Sequence, residues 1–223
     1  ERYSISVSAI GSPIGKIKID EDFESHFEKF KHTVRVAEFL NAPMIRIFSF
    51  YPPSGEVIED YRDQVLNRLT KMADYLKATD IVMVHENESH IFGHSAINCL
   101  DIALSVNSPN LKLAYDPANF VWGDNIHNNM DVCWPLMKPY VNHIHIKDWK
   151  IGRADIGSMP GEGNGQIQEL IGELATMKYS GFVTMEPHLK KGGQFGGDTG
   201  PKLFAEAIEA TRNICDKVGL KYC

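Results

Sequence analysis

Three carboxylates and one imidazole close four short apolar runs in this chain of 223 residues: Glu86, Asp116, His145 and Glu186. The gaps between them are 30, 29 and 41 residues, each about the length of one strand-plus-helix unit. Successive parallel strands would bring the four side chains to one end of a sheet. Carboxylate oxygens with one imidazole suit a hard or borderline divalent cation. The spacing therefore predicts a metal site.

Each of these residues alone has an ordinary explanation, because a lone Glu or Asp at a strand end is usually a helix cap or an ion-pair partner. Four of them at equivalent positions in four consecutive units are much harder to explain in that way. Burying three carboxylates together without a cation would cost several kcal/mol or force protonation. We therefore expect one divalent ion, with Mn²⁺, Mg²⁺ or Co²⁺ preferred and Zn²⁺ also compatible.

Two histidines on the same predicted strand compete for the imidazole position. His143 and His145 are two residues apart, about 6.6 Å along a strand, so they do not bind one ion at the same depth. His145 is nearer the following loop and is assigned as the ligand. His143 is interpreted as a buried histidine that hydrogen-bonds within the inner layer.

Strand and helix patterns alternate along the chain. Short apolar runs predict strands over 4–10, 44–50, 81–86, 111–116, 141–145 and 182–186. Helical spacing of apolar residues predicts helices over 21–40, 57–76, 95–106, 129–140, 167–179 and 201–218. Six such units imply a mostly parallel sheet, which places its active site at the carboxyl ends of the strands. We find no linker, so a single domain over residues 1–223 is predicted.

Composition excludes several functional classes. The chain is 43% hydrophobic and 23% charged, as in an ordinary globular protein, and its net charge of −6 argues against a nucleic-acid surface. The sequence contains no apolar run long enough for a membrane span and no signal-peptide pattern. The four cysteines form no CxxC pair, which favours reduced thiols and a cytoplasmic location. A homo-oligomer is left open.

Seven segments carry a resemblance to a known family. They are SAIGSPIG (8–15), IRIFSF (45–50), HEN (85–87), YDPANF (115–120), HIKD (145–148), PGEGNG (160–165) and MEPHL (185–189). The chain resembles the xylose-isomerase-like TIM-barrel superfamily over almost its whole length, and most of all proteins of the sugar phosphate isomerase/epimerase type. The resemblance implies a (β/α)8-type TIM barrel of which this chain holds about six βα units. Its first strand corresponds to the third strand of the family, so the first two units are expected to be missing from this chain.

The resemblance also assigns roles. Relatives hold one divalent metal with a Glu, Asp, His, Glu set on the last four strands, which falls on the four residues named first. In ketose epimerases the first and last Glu are also the acid/base pair, so Glu86 and Glu186 are the expected catalytic residues. Asn119 departs from the pattern, since metal-binding relatives often carry His at that position, and the Arg of the epimerases in the loop after the His strand has no clear equivalent. Both departures leave the substrate open.

Four further side chains are candidates for substrate binding. Lys147 shares strand parity with His145, and it either stabilises a substrate oxyanion or forms a rim salt bridge with Asp148 or a neighbour. Arg46 lies in an apolar strand and needs a partner; pairing with a site carboxylate is favoured over substrate contact.

The other two candidates lie in loops. Asn119 can hydrogen-bond a sugar hydroxyl but cannot replace His as a ligand. His188 either lines the pocket or anchors its loop, and loop anchoring is favoured.

The leading functional hypothesis is a metal-dependent isomerase or epimerase that acts on a small sugar or hydroxy-carbonyl compound through an enediolate. The nearest alternative is a dehydratase of the inosose or dehydroshikimate type on the same barrel. An abasic-site endonuclease needs a histidine-rich zinc cluster and a basic face, against which Asn119 and the acidic charge argue. A non-catalytic sugar-binding barrel is the remaining alternative.

Overall fold

The computed structural model of the protein describes residues 5–193 and 196–222. Backbone contacts divide the chain into two compact units. Unit 1 comprises Glu1–Ala114 and Pro139–Asn142, and unit 2 comprises Tyr115–Lys138 and His143–Cys223. The single domain over residues 1–223 stays a prediction.

Six parallel strands alternate with helices. The strands are β1 (Ile10–Gly11), β2 (Met44–Ile47), β3 (Val82–Glu86), β4 (Leu111–Tyr115), β5 (Val141–Ile146) and β6 (Phe182–Met185). Their order in the sheet is their order along the chain, β1-β2-β3-β4-β5-β6. Two further strands, β7 (Lys190–Gly193) and β8 (Gly196–Asp198), form a separate antiparallel pair. This is the arrangement of a partial TIM barrel with about six βα units, as the sequence predicts.

Eight α-helices and three short 3₁₀ turns connect the strands in the described ranges. The helices are α1 (Phe23–Leu40), α2 (Arg62–Leu76), α3 (Ala96–Val106), α4 (Pro117–Asp124), α5 (Asn129–Val132), α6 (Trp134–Met137), α7 (Ile167–Thr176) and α8 (Gly200–Val218). The 3₁₀ turns are Ile58–Tyr61, Phe92–His94 and Lys138–Tyr140. Within residues 5–193 and 196–222, none of the helices combines the length and the hydropathy that crossing a bilayer requires.

Unit 1 is built from β1 to β3, most of β4, and the helices α1 to α3. The side chain of Asp22 accepts a hydrogen bond from the backbone N–H of Glu24 and caps α1, and Asn41 ends that helix in the left-handed conformation. The apolar faces of these elements supply the core. Its fully buried members include Phe30, Ile45, Ile47, Val65, Leu69, Met72, Leu76 and Met83.

Unit 2 contains most of β5, the strand β6 and the helices α4 to α8. Its β5 and β6 pair in parallel, with His145 opposite Thr184 in the register. Gly219 ends α8 with a φ of 76°, the left-handed conformation that glycine adopts without strain. The fully buried apolar side chains include Tyr115, Phe120, Met137, Ile144, Ile146, Leu170, Ile171 and Leu174.

Three sequence predictions differ from the structure. The strand predicted over 4–10 is limited to Ile10–Gly11, where hydrogen bonds to β2 are made; Ser4 lies outside the described residues. The helix predicted over 129–140 is broken into short pieces, because Pro135 and Pro139 lack the N–H that a continuous helix needs. Helix α4 was missed, although Asp116 followed by Pro117 is an N-cap and first-turn signal.

Candidate metal centre

Unit 2 brings together three of the four predicted metal ligands. Asp116, His145 and Glu186 each offer one ligand atom, and these atoms lie within 4.8 Å of one another. The Nδ1 atom of His145 is 3.6 Å from Oε2 of Glu186. Asp116 and His145 are buried, whereas the side chain of Glu186 is 26% exposed. One member of the cluster is therefore accessible to a ligand from solvent.

Asp116 is held by the start of the helix that follows its strand. It is the N-cap of α4, and its Oδ1 accepts a hydrogen bond of 3.1 Å from the backbone N–H of Asn119. Its Oδ2 lies 2.8 Å from Nζ of Lys147. The carboxylate orientation is thus set by a backbone donor on one oxygen and a cation on the other.

Lys147 is a buried cation, not a rim residue. Its Nζ donates a hydrogen bond of 2.7 Å to Oδ1 of Asn119 in addition to the ion pair with Asp116, and the residue is 6% exposed. Of the two salt-bridge partners that the sequence left open, Asp148 or a neighbour, the structure shows a neighbour, Asp116. Asp148 is not available because its oxygens accept hydrogen bonds from backbone N–H groups.

Asp148 organises the loop that follows β5. Its Oδ1 accepts hydrogen bonds from the N–H groups of Trp149 and Gly165, and its Oδ2 from those of Gly161 and Gly163, at 2.8–2.9 Å. Burial raises the pKa of the Asp148 carboxyl, and these four donors act in the opposite direction. A Cβ on Gly163 would lie 2.2 Å from Oδ1, so a larger residue does not fit there. This role of Asp148 is not among the sequence predictions, although glycines at alternate positions from 161 to 165 indicate a loop whose backbone approaches another group closely.

The same loop is tied to the segment that follows Glu186. The backbone N–H of Gly157 donates a hydrogen bond of 2.8 Å to the carbonyl of His188, and the N–H of Ser158 donates to the carbonyl of Asp148 at the same distance. His188 itself has a positive φ of 41°. Its backbone therefore contacts the loop, while the role of the imidazole, favoured as a loop anchor, stays a prediction.

His143 lies in the interior next to the candidate ligand. Its Nε2 is 2.9 Å from Oγ1 of Thr184, and the residue is 2% exposed. The rings of His143 and His145 are 5.2 Å apart and nearly perpendicular. A hydrogen bond to Thr184 is the kind of contact expected of an inner-layer histidine.

The fourth predicted ligand, Glu86, belongs to unit 1 and closes β3 there. It is 2% exposed, and its Oε2 lies 3.0 Å from Nη1 of Arg46. Arg46 pairs in register with Val84, so its side chain and that of Glu86 are on the same face of the two strands. The guanidinium of Arg46 also lies over the ring of Phe48, 4.8 Å from its centroid. Arg46 thus has the carboxylate partner that its apolar strand requires.

His85 on β3 is a second buried ionisable group of unit 1. It is fully buried, and neither ring nitrogen has a hydrogen-bond partner in the described parts of the chain. A Cβ on Gly93 would come within 2.1 Å of its Cε1, so the ring packs directly on that glycine. Burial lowers the pKa of His85 to about 4. The imidazole is therefore neutral at physiological pH.

The cluster in unit 2 fits a divalent cation. Two carboxylates and one imidazole are donors that Mg²⁺, Mn²⁺, Co²⁺ or Zn²⁺ accept, and no thiolate competes for a softer ion among them. The ammonium of Lys147 offsets one negative charge, which explains how the cluster is buried. These residues could hold a metal ion.

A comparison with models of protein families identifies the family of this chain. The model of the xylose isomerase-like TIM barrel family matches residues 1–214, so the chain belongs to this family. No protein with a curated description matches it significantly.

Solved structures share the fold along almost the whole chain. A D-tagatose 3-epimerase-like protein matches with a TM-score of 0.77 and 16% identity, covering 98% of this chain and 80% of that one. The probable 3-DHS dehydratase AsbF, involved in petrobactin synthesis, from Bacillus anthracis matches at 0.74 with 18% identity, covering 94% and 78%. A xylose isomerase-like TIM barrel protein from Mycobacterium smegmatis, solved in complex with magnesium, matches at 0.74 with 14% identity, covering 97% and 76%. Identities this low establish a common fold only.

Proposed function

We propose that the protein is a divalent-metal-dependent isomerase or epimerase of a small sugar or hydroxy-carbonyl compound. The observation that carries this proposal is the cluster of Asp116, His145 and Glu186, whose ligand atoms lie within 4.8 Å of one another. Membership of the xylose isomerase-like family and the fold shared with an epimerase-like protein support it. We expect Mn²⁺, Mg²⁺ or Co²⁺ as the ion and the cytoplasm as the location.

We propose Glu86 as the fourth ligand. It is a buried carboxylate at the carboxyl end of β3, and it pairs in register with Ala114, two residues before Asp116. Side-chain parity therefore assigns Glu86 and Asp116 to the same face. The guanidinium of Arg46 offsets the charge of Glu86 as Lys147 offsets that of Asp116. Four protein donors on a six-coordinate ion leave two positions for substrate oxygens.

Two glutamates are proposed to move the proton. Glu186 is the more exposed carboxylate of its cluster, so it can reach the carbon-bound proton of a substrate as general base. Glu86 would act from the other face of the substrate carbon and return the proton there. A divalent ion bound by these residues supplies Lewis-acid stabilisation of the negative charge that develops on the substrate oxygens.

Four further side chains are proposed to bind or position substrate. Lys147 and Asn119 form a buried polar pair with a cationic donor and an amide, which suits substrate hydroxyl or oxyanion groups. Arg46 would position Glu86, with which it already pairs. His188 would contribute through its loop, whose backbone it joins to Gly157.

A dehydratase is the second candidate. One structure with this fold is described as a probable 3-DHS dehydratase, with a TM-score of 0.74. The two reactions share their first step, since the enediolate formed by proton removal can either be reprotonated or expel a hydroxyl group. The same carboxylates can serve isomerisation and dehydration.

Incubation of the Mn²⁺-loaded protein with a panel of ketoses in deuterated water tests the proposal. An isomerase or epimerase incorporates deuterium at carbon, and its product retains all the hydroxyl groups of the substrate. Loss of one water from the product identifies the dehydratase instead. Turnover that persists after complete chelation of metal, or no exchange with any ketose or hydroxy-carbonyl compound, contradicts the proposed function.

A further inference from the structure

A small cavity in unit 2 lies beside the segments that follow two of the ligand strands. Its volume is about 330 Å³, and its walls include Trp122, Asn125, Trp149, Lys150 and Arg153. Trp122 follows the ligand Asp116 by six residues, and Trp149 follows His145 by four. A volume of this size is at the lower end of the range for small-molecule sites.

One wall of the cavity is rigid. The backbone N–H of Trp149 donates to Oδ1 of Asp148, its indole N–H donates to the carbonyl of Arg153 at 2.7 Å, and its carbonyl accepts from Asn164. With these groups engaged, Trp149 offers the apolar part of its ring. A wall fixed before binding lowers the entropic cost of association.

A second part of the wall is exposed and aromatic. Trp122, on α4, is 42% exposed, and its ring meets that of Trp149 edge to face, with centroids 6.4 Å apart. The C–H face of a sugar ring is an apolar surface of the size that one indole covers. An indole face bordered by hydrogen-bonding groups is a typical wall of a site for a small polar ligand.

The charge of the cavity is positive, although the whole chain carries −6. Lys150 and Arg153 are exposed members of its wall, and no Asp or Glu is among the described residues that line it. An ammonium and a guanidinium among the lining residues favour an anionic ligand, and Arg in particular binds phosphate and carboxylate through paired hydrogen bonds.

We propose that this cavity is a subsite for the anionic end of a carbohydrate. The sugar ring packs on Trp122, while Lys150 and Arg153 bind its phosphate or carboxylate group. The inference rests on the proposed function, because it assigns a part of the same substrate. It narrows the substrate class to sugar phosphates or sugar acids.

Tryptophan fluorescence of the Mn²⁺-loaded protein tests the subsite without requiring turnover. The chain has three tryptophans, and two of them, Trp122 and Trp149, line the cavity, so a fluorescence change on titration reports on occupancy of the cavity. The probes are D-fructose, D-fructose 6-phosphate, D-gluconate and inorganic phosphate. We expect fructose 6-phosphate or gluconate to bind about tenfold more tightly than fructose; which of the two binds more tightly identifies the anionic group. Equal binding of fructose and both anionic sugars, or binding of inorganic phosphate as tight as that of the sugars, overturns the proposal.

Calorimetry on variants identifies the side chains that produce the preference for anionic sugars. Arg153→Gln and Lys150→Gln should each remove most of the preference for the anionic sugar, while Lys202→Gln, which removes a charge from exposed helix α8, should leave it unchanged. Trp122→Ala should weaken sugar binding about tenfold, and Trp122→Phe should restore most of it. A preference that survives in Arg153→Gln and Lys150→Gln contradicts the assignment.

The two proposals fail separately. Deuterium exchange on an uncharged ketose without any tryptophan fluorescence change from an anionic sugar overturns the subsite and keeps the isomerase. A fluorescence change with no exchange or dehydration of any sugar keeps the subsite and overturns the isomerase.

Discussion

Asp116 and Asp148 are both fully buried in unit 2, but their carboxylates are satisfied in different ways. Asp148 accepts hydrogen bonds from four backbone N–H groups, which fill the lone-pair sites of a carboxylate. Asp116 accepts one backbone N–H through Oδ1, while its Oδ2 faces the ammonium of Lys147. Burial by itself therefore does not distinguish a candidate metal ligand from a carboxylate that organises a loop. The hydrogen-bond partners do differ: Asp148 has only backbone donors, whereas Asp116 also faces a side-chain cation.

The largest effect is expected at the exposed member of the cluster. Glu186→Gln keeps the shape of the side chain but removes the proposed general base, so kcat for proton exchange should fall by about 10²–10⁴-fold. Exchange is measured by deuterium incorporation under saturating Mn²⁺. Glu209→Gln, on the exposed face of α8, is the matched control and should retain wild-type turnover. A Glu186→Gln enzyme as active as wild type would refute the assignment.

The second test separates the two buried aspartates by metal affinity. Asp116→Asn preserves the helix cap, because Asn also caps well, but it replaces an anionic ligand by a neutral one. The Kd for Mn²⁺, measured by calorimetry, should rise by about a hundredfold. Asp148→Asn should raise it much less. Equal losses in the two variants would mean that the comparison between them is wrong.

The third test measures stability instead of metal affinity, and here the larger effect is expected at Asp148. Asp148→Asn places an amide NH₂ against backbone N–H donors, so the free energy of unfolding in urea should fall by roughly 2–3 kcal/mol in metal-free protein. Asp101→Asn, at a partly exposed position on α3, should cost less than about 1 kcal/mol. An Asp148→Asn protein with wild-type stability would show that the loop does not depend on this carboxylate.

The smallest effect is expected at His85, a buried imidazole whose two ring nitrogens have no hydrogen-bond partner among the described residues. The pKa of His85 is lowered to about 4 in the folded protein, against about 6.5 in the unfolded chain. The unfolded state therefore takes up the proton first, and stability is lost as the pH falls from about 6.5 towards 4. On going from pH 7 to pH 5, the protonation of His85 in the unfolded chain should lower the free energy of unfolding by about 2 kcal/mol.

His85→Gln removes this titration. Its free energy of unfolding, measured in urea with chelator present, should depend less steeply on pH than that of wild type over this range. His127→Gln, at an exposed position, is the control and should follow the wild-type profile. A His85→Gln profile parallel to wild type would show that His85 is not the group responsible.

Much of the fold was readable because its units are regular. Five of the six parallel strands lie where alternating or continuous apolar runs predict them, and α1 begins one residue after its Asp22 cap. The failures are local. Pro135 and Pro139 interrupt a helical pattern that otherwise looks continuous, and the eight residues of α4 are too short for a clear periodicity.

The candidate site was less readable than the fold. Equivalent strand-end positions were enough to predict a cluster, and Asp116, His145 and Glu186 do lie together. The choice of Asp116 as the partner of Lys147 was not predictable. It depends on Asp148 being occupied by backbone N–H groups as far along the chain as Gly165. Backbone donors leave no trace in residue type beyond the glycines that make room for them.

The stretch 150–156 is held at both ends and exposed in the middle. Trp149 is fixed on one side by three hydrogen bonds, and Gly157 on the other by its bond to the carbonyl of His188. Sequence changes within these seven residues can therefore alter what an incoming molecule meets without disturbing the candidate ligands. A library that randomises this stretch would vary ligand preference while the proposed metal centre stays constant.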